Sequence, residues 1–245
     1  NIVFGRFKAQ NINELVVDLR YNSGGMMSSA IRLGSMMVPN LTTSKVFTYT
    51  EYNQNYTDYF NSSEFKKDYP GVNPFTDNFA TTISTAAIQN VGNNIQRIYF
   101  ITGQNTASAS EMVINGLKPY LPCILIGDTT VGKNVGSTLV HDEDNVNNQW
   151  AFMPIILKYF NKDHLSDFTQ GFAPDYYLKD DYKHLLGDTN EALLAKAITL
   201  ITGAQSSPAR IQTSDSELYS QPLYNKKERG TIVRKMAIDA YQKRK

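Results

Sequence analysis

The stretch IGDTTVGKNVGS, residues 126–137, decides which fold this chain adopts, because it supports two incompatible interpretations. Its pattern G-x-x-x-x-G-K, from Gly127 to Lys133, matches most of a phosphate-binding loop. Such a loop needs Ser or Thr directly after the lysine to ligate magnesium, but Asn134 stands there. The residues that follow have the composition of a strand, whereas a phosphate-binding loop opens a helix. The pattern therefore favours another role for Lys133, and nucleotide binding is kept as an alternative.

The composition excludes several classes of protein. The chain has 245 residues, of which 41% are hydrophobic, and this is enough for one large domain or two small ones. A net charge of +1 gives no electrostatic argument for binding nucleic acid or an anionic membrane. No apolar run approaches the roughly 20 residues of a membrane span. We therefore expect no nucleic-acid partner and no stable membrane insertion of this fragment.

Apolar segments alternate between strand and helix patterns along the chain. Helices are predicted near 2–10, 26–38, 110–121 and 191–202, and strands near 14–19, 97–102, 123–126, 135–141 and 149–158. This alternation predicts a layered α/β architecture with a largely buried sheet. Asp18 and Arg20 flank the end of the first strand, and we expect them to form a structural ion pair.

Residues 41–95 differ from the rest, because Tyr, Asn, Thr and Phe dominate their composition. The segment is too polar for a core and too aromatic for a disordered linker, so it is interpreted as an excursion from the main fold. We predict that it forms a lid or one wall of a substrate cleft. Some of its tyrosines would then face the substrate: Tyr49, Tyr52, Tyr56 and Tyr59. The alternative is that these side chains cover the outer surface of the sheet.

Small polar residues from Thr106 to Glu111 follow the strand predicted at 97–102. A serine at such a strand-to-helix turn is exposed at the edge of the sheet, and the next amide lies at a helix N-terminus, which favours negative charge. Ser108 is therefore a candidate nucleophile for acyl transfer, because an oxyanion develops beside such a group. The alternative is that Ser108 and Glu111 form a capping box that only starts the helix.

A serine nucleophile needs a base. The three histidines, His141, His164 and His184, lie in polar or charged segments, and a Ser–His–Asp arrangement through His141 is kept as an alternative. A lysine can replace histidine when burial lowers its pKa enough to leave a neutral amine. Lys133 follows a predicted buried strand in a turn of small residues, and so we predict a buried lysine base.

Three motifs, taken in order, resemble the catalytic core of the C-terminal processing proteases, also called tail-specific proteases. Leu15 to Gly25, LVVDLRYNSGG, resembles the strand and D-L-R-x-N-x-G-G turn of that family. Thr106 to Glu111, TASASE, resembles its S-A-S-E nucleophile turn. Gly127 to Lys133, GDTTVGK, resembles its G-x-x-T-x-G-K lysine turn. Each motif is weak alone, but the ordered set is specific.

The resemblance extends beyond these motifs, over roughly residues 1–203. Ser108 and Lys133 are 25 positions apart, as in the family, and residues 171–175, GFAPD, look like its later G-I-x-P-D. The implied fold is α/β, with a layered core like that of crotonase and ClpP and a mixed sheet flanked by helices. The implied organisation is a peptidase catalytic core at 1–204 followed by a C-terminal extension at 205–245.

The resemblance carries over a catalytic pair and an oxyanion hole. Ser108 would be the nucleophile and Lys133 the general base. The backbone amides of Ala109 and of Gly24 or Gly25 would form the oxyanion hole. Glycine suits the second position physically, since a side chain would obstruct the approach of a substrate carbonyl.

The chain also departs from the family pattern. Glu111 would help to orient the lysine, as in part of the family. The glutamine that many members carry four positions after the lysine is Ser137 here, which is shorter and is kept as a second candidate for orienting the lysine. Many members have proline where Ser23 stands. Members usually carry an upstream PDZ domain that captures the C-terminal carboxylate of the substrate. No such domain fits in this chain, so either it was cut away from a longer protein or it is absent. We expect the catalytic core to lack its N-terminal part, including its first strands.

The resemblance implies a serine endopeptidase that cleaves peptide or protein substrates through an acyl-enzyme, without a metal or an organic cofactor. Such proteases usually work in the bacterial cell envelope, in the periplasm or on a lipid anchor. The alternative from another class is a ligand-binding protein without turnover on the same fold, as in the retinoid-binding relatives of the family.

Overall fold

A computed structural model describes residues 1–142, 144–145, 147–148 and 150–203. The predicted C-terminal extension at 205–245 lies outside the described residues. The described residues form two units, one from 1–136 and 157–203 and one from 137–156.

The elements follow the alternation predicted from the sequence. The helices are α1 (Ile2–Ala9), α2 (Met27–Met37), α3 (Gln54–Asn61), α4 (Ser63–Asp68), α5 (Ala109–Leu117) and α6 (Ala192–Thr202). The strands are β1 (Leu15–Asp18), β2 (Val46–Tyr52), β3 (Thr76–Asn78), β4 (Thr82–Ile83), β5 (Ala86–Ala87), β6 (Ile98–Thr102), β7 (Cys123–Gly127), β8 (Val135–Ser137), β9 (Val140–His141), β10 (Ala151–Phe152), β11 (Ile155–Phe160) and β12 (Tyr176–Tyr177).

The central sheet is parallel, with strand order β1-β6-β7-β12. Every residue of β6 is buried, which agrees with its continuous apolar sequence, because helices cover both faces of a parallel sheet. Ile98 and Phe100 pack with the core on the side of α2 and α5. Tyr99 and Ile101 pack on the other side with Leu193 of α6. The α/β class, with a sheet flanked by helices, is confirmed.

A second four-stranded sheet has the order β3-β2-β11-β8. Strand β2 pairs antiparallel with β3 and with β11, and Thr50 lies opposite Tyr159. The chain therefore holds antiparallel strands as well, but within the described residues they form sheets separate from the parallel one.

The excursion at 41–95 contributes to the main core, so the prediction that it is too polar for a core is wrong. Phe47 is fully buried, and a Cβ on Gly116 of α5 would lie 2.5 Å from its ring. Phe79, Ile88 and Val91 belong to the same buried cluster. The segment buries single apolar residues that are spaced among polar residues. Its average composition is therefore polar and does not predict their burial.

The tyrosines of the excursion divide between two environments. Tyr49 stacks on His164 with ring centroids 4.3 Å apart. The other three lie in an aromatic cluster around α3 and α4 whose members are Tyr52, Tyr56, Tyr59, Phe60, Phe65, Tyr69 and Phe75. The prediction that some of them face a substrate stays a prediction.

Proline accounts for two differences between predicted and observed element bounds. The helix predicted at 110–121 ends at Leu117, because Pro119 has no N–H to donate to the Asn115 carbonyl and cannot continue the helix. The strand predicted at 149–158 is divided into β10 and β11 at Pro154, which has no N–H to donate to a sheet.

Candidate active site

Three turns from distant parts of the sequence meet where β1, β6 and β7 end. The carboxyl ends of parallel strands lie at one edge of a sheet, and ligands bind there in open α/β sheets. The Ala107 amide donates to the Asn22 carbonyl at 3.2 Å, which joins the second turn to the first. The Val131 amide donates to the Thr106 carbonyl at 2.9 Å, which joins the third turn to the second. The structure therefore brings the three predicted motifs together.

Ser108 occupies an unusual backbone conformation at the head of α5. Its φ is 56° and its ψ is −118°, a region that non-glycine residues rarely adopt and that is enriched at active sites. Its amide donates to Glu111 Oε2 at 2.8 Å, so the interaction expected from a capping box is present at the same turn. The residue is half-buried. Ser108 thus starts the helix and also presents a hydroxyl at the edge of the sheet.

The carboxylate of Glu111 joins the serine turn to the lysine turn. It is fully buried, and Oε2 accepts from the amides of Ser108 at 2.8 Å and Lys133 at 2.9 Å. Oε1 accepts from the Thr130 hydroxyl and the Gly132 amide, each at 2.6 Å. Buried charge is costly unless it is hydrogen-bonded, and four donors meet that need here. Glu111 therefore positions the backbone of the lysine turn, whereas the resemblance had suggested that it orients the lysine itself.

The side chain of Lys133 is exposed, so the prediction of a buried lysine is wrong for the described chain. The strand before it is buried, but the turn projects past the end of the sheet. A Cβ on Gly132 would lie 2.4 Å from the Thr169 carbonyl, which shows that the backbone of the turn packs inward. Among the described residues, no hydrogen bond joins Lys133 Nζ to the Ser108 hydroxyl. The Ser108–Lys133 dyad stays a prediction.

Gly24 packs directly against the serine turn. A Cβ at this position would lie 2.8 Å from both the Ala107 carbonyl oxygen and Ser108 Cβ. Its φ of +104° is also strained for any other residue. Glycine at this position is thus required both by space and by conformation.

The candidate oxyanion donors can be narrowed from three amides to two. The Gly24 amide already donates to Asn22 Oδ1 at 2.9 Å. Within the described part of the chain, the amides of Gly25 and Ala109 have no protein acceptor, and Ala109 begins α5. These two amides are the better pair for binding a developing negative charge.

The remaining predicted residues lie elsewhere. Ser137 ends β8 and is half-buried, and its proposed relation to the lysine stays a prediction. His184 contacts Asp181 at 2.7 Å, and this hydrogen bond raises the pKa of the histidine. His141 lies in β9, and its role as an alternative base stays open. The nucleotide alternative is not supported, because strand β8 follows Lys133 where a phosphate-binding loop opens a helix.

A buried ion network lies beside the first turn. Arg20 forms the predicted ion pair with Asp18 at 3.0 Å, and it also contacts Asp180 at 2.8 Å and Glu191 at 2.9 Å. Burial alone would raise the pKa of Glu191, but hydrogen bonds from Arg20 and from the α6 amides lower it below its ordinary value. The network anchors α6 to the end of β1. A cavity of about 730 Å³ borders Arg20 and Ser23.

Tyr159 was not predicted as a site residue, yet its hydroxyl donates to the Val135 carbonyl at 3.0 Å, just after the lysine turn. It is one of 15 tyrosines, and nothing in the apolar pattern of its strand distinguishes it from a core residue.

Within the described residues, no group of three or more His, Cys, Asp or Glu side chains could hold a metal ion. None of the helices described has both the length and the hydrophobicity of a membrane span.

A helix-head serine, two open amides and an adjoining lysine turn thus lie together at one edge of the parallel sheet. The sequence matches the model of peptidase family S41 over residues 2–178, which is more than half of the chain. The chain belongs to peptidase family S41. No curated protein sequence shows a significant match to it.

A solved structure shares the fold. It is described as an S41 protease from Bacteroides fragilis NCTC 9343 and has a TM-score of 0.64 and 27% identity over 82% of this chain. The chain spans 48% of that protein, about half of its length. A peptidase from Parabacteroides merdae ATCC 43184 matches 80% of this chain and 56% of its own, with 17% identity and a TM-score of 0.49. The photosystem II D1 C-terminal processing protease matches 72% of this chain and 37% of its own, with 19% identity and a TM-score of 0.47.

Proposed function

We propose that the protein is a serine endopeptidase in which Ser108 is the nucleophile and Lys133 is the general base. The observation that carries this proposal is the buried carboxylate of Glu111, which accepts hydrogen bonds from the backbone amides of both residues. A single rigid group thus fixes the serine turn and the lysine turn together, as two catalytic groups that act on one bond require.

The reaction follows from these positions. The Ser108 oxygen attacks the scissile carbonyl carbon while its proton passes to the neutral amine of Lys133. The carbonyl oxygen becomes an oxyanion, which accepts hydrogen bonds from the amides of Gly25 and Ala109. When the carbon–nitrogen bond breaks, Lys133 returns the proton to the leaving amine and an ester remains on Ser108. Water then hydrolyses the ester, with Lys133 again as base.

This chemistry requires a lysine amine that is shielded from water, and the Lys133 side chain is exposed in the chain alone. We propose that the bound peptide supplies the missing cover, because substrate closure expels water and removes the stabilisation of a charged amine. A substrate analogue that reaches the leaving-group side should therefore protect Lys133 from acylating reagents, and this protection can be measured by peptide mass spectrometry.

The test of the proposal is labelling with a fluorophosphonate probe, which reacts with activated serine hydroxyls. We expect one label per chain, mapped by peptide mass spectrometry to Ser108 and not to the neighbouring Ser110. The Ser108→Ala variant should not react, while a surface variant such as Ser44→Ala should react as the wild type does. A folded wild-type protein that takes no label would refute the serine peptidase.

The alternative function is binding without turnover on the same fold. It is favoured by one observation, the exposed Lys133 with no hydrogen bond to Ser108 among the described residues. The two functions differ in one measurement, which is peptide cleavage by the wild type. A binding protein would bind the peptide and leave it intact, whereas a peptidase would cleave it.

We further propose that cleavage is of the C-terminal processing type, that a PDZ domain precedes this segment in the full protein, and that the protein acts in the bacterial cell envelope. These proposals rest on the motif resemblance alone. Competition between substrates with a free and an amidated C-terminus would test the first. The sequence of the full-length gene would test the other two.

A further inference from the structure

Asn134 is the residue that breaks the match to a phosphate-binding loop, and the mechanism proposed above gives it no role. Only 4% of Asn134 is exposed, although it directly follows the exposed Lys133. Its side-chain amide donates to the Ser166 carbonyl at 2.7 Å and to the Ser166 hydroxyl at 3.1 Å. Buried polar side chains need such partners, so these two bonds fix the Asn134 side chain in the interior.

The backbone turns sharply at Lys133 and is held on both sides of it. The Asn134 amide donates to the Gly132 carbonyl at 3.2 Å, which makes Lys133 the central residue of a three-residue turn. On the N-terminal side, the Glu111 carboxylate accepts from the amides of Gly132 and Lys133. On the C-terminal side, the Asn134 carbonyl accepts from the Tyr159 amide at 3.1 Å. Lys133 thus lies between two fixed points of the backbone.

The loop that receives the Asn134 side chain is itself attached to the serine helix α5. Asn115 of α5 donates to the Leu165 carbonyl at 3.1 Å, and the same carbonyl accepts from the Asn161 amide at 3.0 Å. Asn161 donates to Asn115 Oδ1 at 3.3 Å, and its own Oδ1 accepts from the Leu165 amide at 3.0 Å. All three asparagines are buried. They form a second connection between the serine helix and the lysine turn, separate from the Glu111 carboxylate.

We propose that Asn134 is a positioning residue for the serine peptidase, whose side chain holds the lysine turn in the place from which Lys133 reaches the nucleophile. This inference rests on the proposed function, in which Lys133 is the base. A lysine side chain is long and flexible, so its amine meets a reacting hydroxyl efficiently only if its backbone is fixed. The amide of Asn134 does not titrate, and it therefore acts through Lys133 without taking part in proton transfer.

The test compares Asn134→Ala with Asn90→Ala. The control removes an asparagine amide of the same kind, since Asn90 donates to the carbonyls of Ser35 and Val38 at 2.7 Å and 2.9 Å. Fluorophosphonate labelling is measured over a range of probe concentrations, which separates the maximal rate from the half-saturating concentration. We expect Asn134→Ala to lower the maximal rate about tenfold through the loss of an orienting hydrogen bond, with the half-saturating concentration unchanged. Asn90→Ala should keep both values near those of the wild type.

Amide hydrogen exchange measures whether the lysine turn itself has loosened. A peptide that covers residues 128–135 should exchange faster in Asn134→Ala than in the wild type. The same peptide should exchange at the wild-type rate in Asn90→Ala. Equal exchange of this peptide in the two variants would overturn the positioning role.

The labelling results separate this inference from the proposed function. A folded Asn134→Ala protein that is labelled at the wild-type maximal rate would overturn the inference and leave the proposed function intact. An equal fall of the maximal rate in Asn90→Ala would show a general effect of lost stability and would also overturn it. A wild-type protein that is not labelled at all would remove the proposed function and this inference with it.

Asn115→Ala provides a second variant in case Asn134→Ala does not fold. It leaves Asn134 in place but removes the α5 donor to the Leu165 carbonyl, so the loop is held less firmly at the serine helix. We expect the maximal labelling rate to fall about threefold, less than in Asn134→Ala, because the Asn161 amide still donates to that carbonyl. An unchanged rate in folded Asn115→Ala, with no folded Asn134→Ala to set against it, would count against the proposal.

Discussion

Glu111 and Glu191 are both fully buried glutamates at the N-termini of helices, yet their carboxylates have different hydrogen-bond partners. Glu191 caps α6 by accepting from the Leu193 and Leu194 amides, and both of its oxygens also bind the guanidinium of Arg20. Glu111 has no cation partner among the described residues, and its four donors are three amides and a hydroxyl.

The difference separates a structural network from a catalytic one. The Arg20–Glu191 pair joins elements through side chains, so it holds the layers of the fold together. Glu111 accepts hydrogen bonds from backbone amides of two turns, so it fixes the geometry of the proposed site. The pair is expected to matter most for stability, and Glu111 most for activity. The predictions below run from the largest to the smallest expected effect on the free energy of unfolding.

The largest effect is expected from Arg20→Met. This change leaves Glu191 and its neighbouring carboxylates without their cation, and breaking a buried pair in this way costs about 3–5 kcal/mol. Urea denaturation should show a loss of that size. Arg97→Met is the matched control, because the Arg97–Glu14 pair is partly exposed. Equal losses in the two variants would contradict the structural role of the Arg20 network.

Glu111→Gln should lower the free energy of unfolding less than Arg20→Met does, and it should lower the activity more. The amide nitrogen of the new side chain must face N–H donors, which leaves at least one buried donor unpaired at a cost of about 1–3 kcal/mol. Displacement of the serine and lysine turns by a fraction of an ångström should lower kcat by about a hundredfold. Peptide cleavage and urea denaturation measure the two effects. Activity near the wild-type value would show that the carboxylate does not set the geometry of the site.

The pH dependence of stability should distinguish the wild type from Arg20→Met. The pKa of Glu191 is lowered in the folded state, so its contribution is fully present above the pKa of an unfolded glutamate, about 4.3. That contribution is lost as the pH falls through the folded pKa. The stability gap between the two proteins should therefore narrow as the pH falls below about 4. A gap that stays constant in acid would show that the ionised carboxylate is not its source.

The smallest effect on stability is expected from Lys133→Arg. Glu111 contacts the backbone amide of Lys133 and the side chain is exposed, so the turn should fold unchanged. Arginine keeps the charge but does not deprotonate, so peptide cleavage should be abolished. Thermal unfolding and a cleavage assay together test the dyad. Substantial cleavage by this variant would exclude Lys133 as the base.

Much of the fold follows from local patterns in the sequence. Continuous apolar runs at 14–19, 97–102 and 123–126 predicted the buried parallel strands, and small-residue turns after each predicted where the site forms. The meeting of Gly24, Ser108 and the lysine turn follows from these patterns, because the ends of neighbouring parallel strands share one edge. The sequence by itself thus determined the α/β class, the family motifs and the location of the candidate site.

Only the tertiary structure decided which partner each polar group has. The sequence predicts that Glu111 belongs to a capping box. Its contacts with Thr130 and Lys133, however, depend on how two strands align. The exposure of Lys133 and the hydrogen bond from the Tyr159 hydroxyl to the Val135 carbonyl likewise depend on packing between segments far apart in the chain. The physical reason is that apolar periodicity records which face of an element is buried, whereas a hydrogen bond depends on sub-ångström placement of atoms that neighbouring residues do not control.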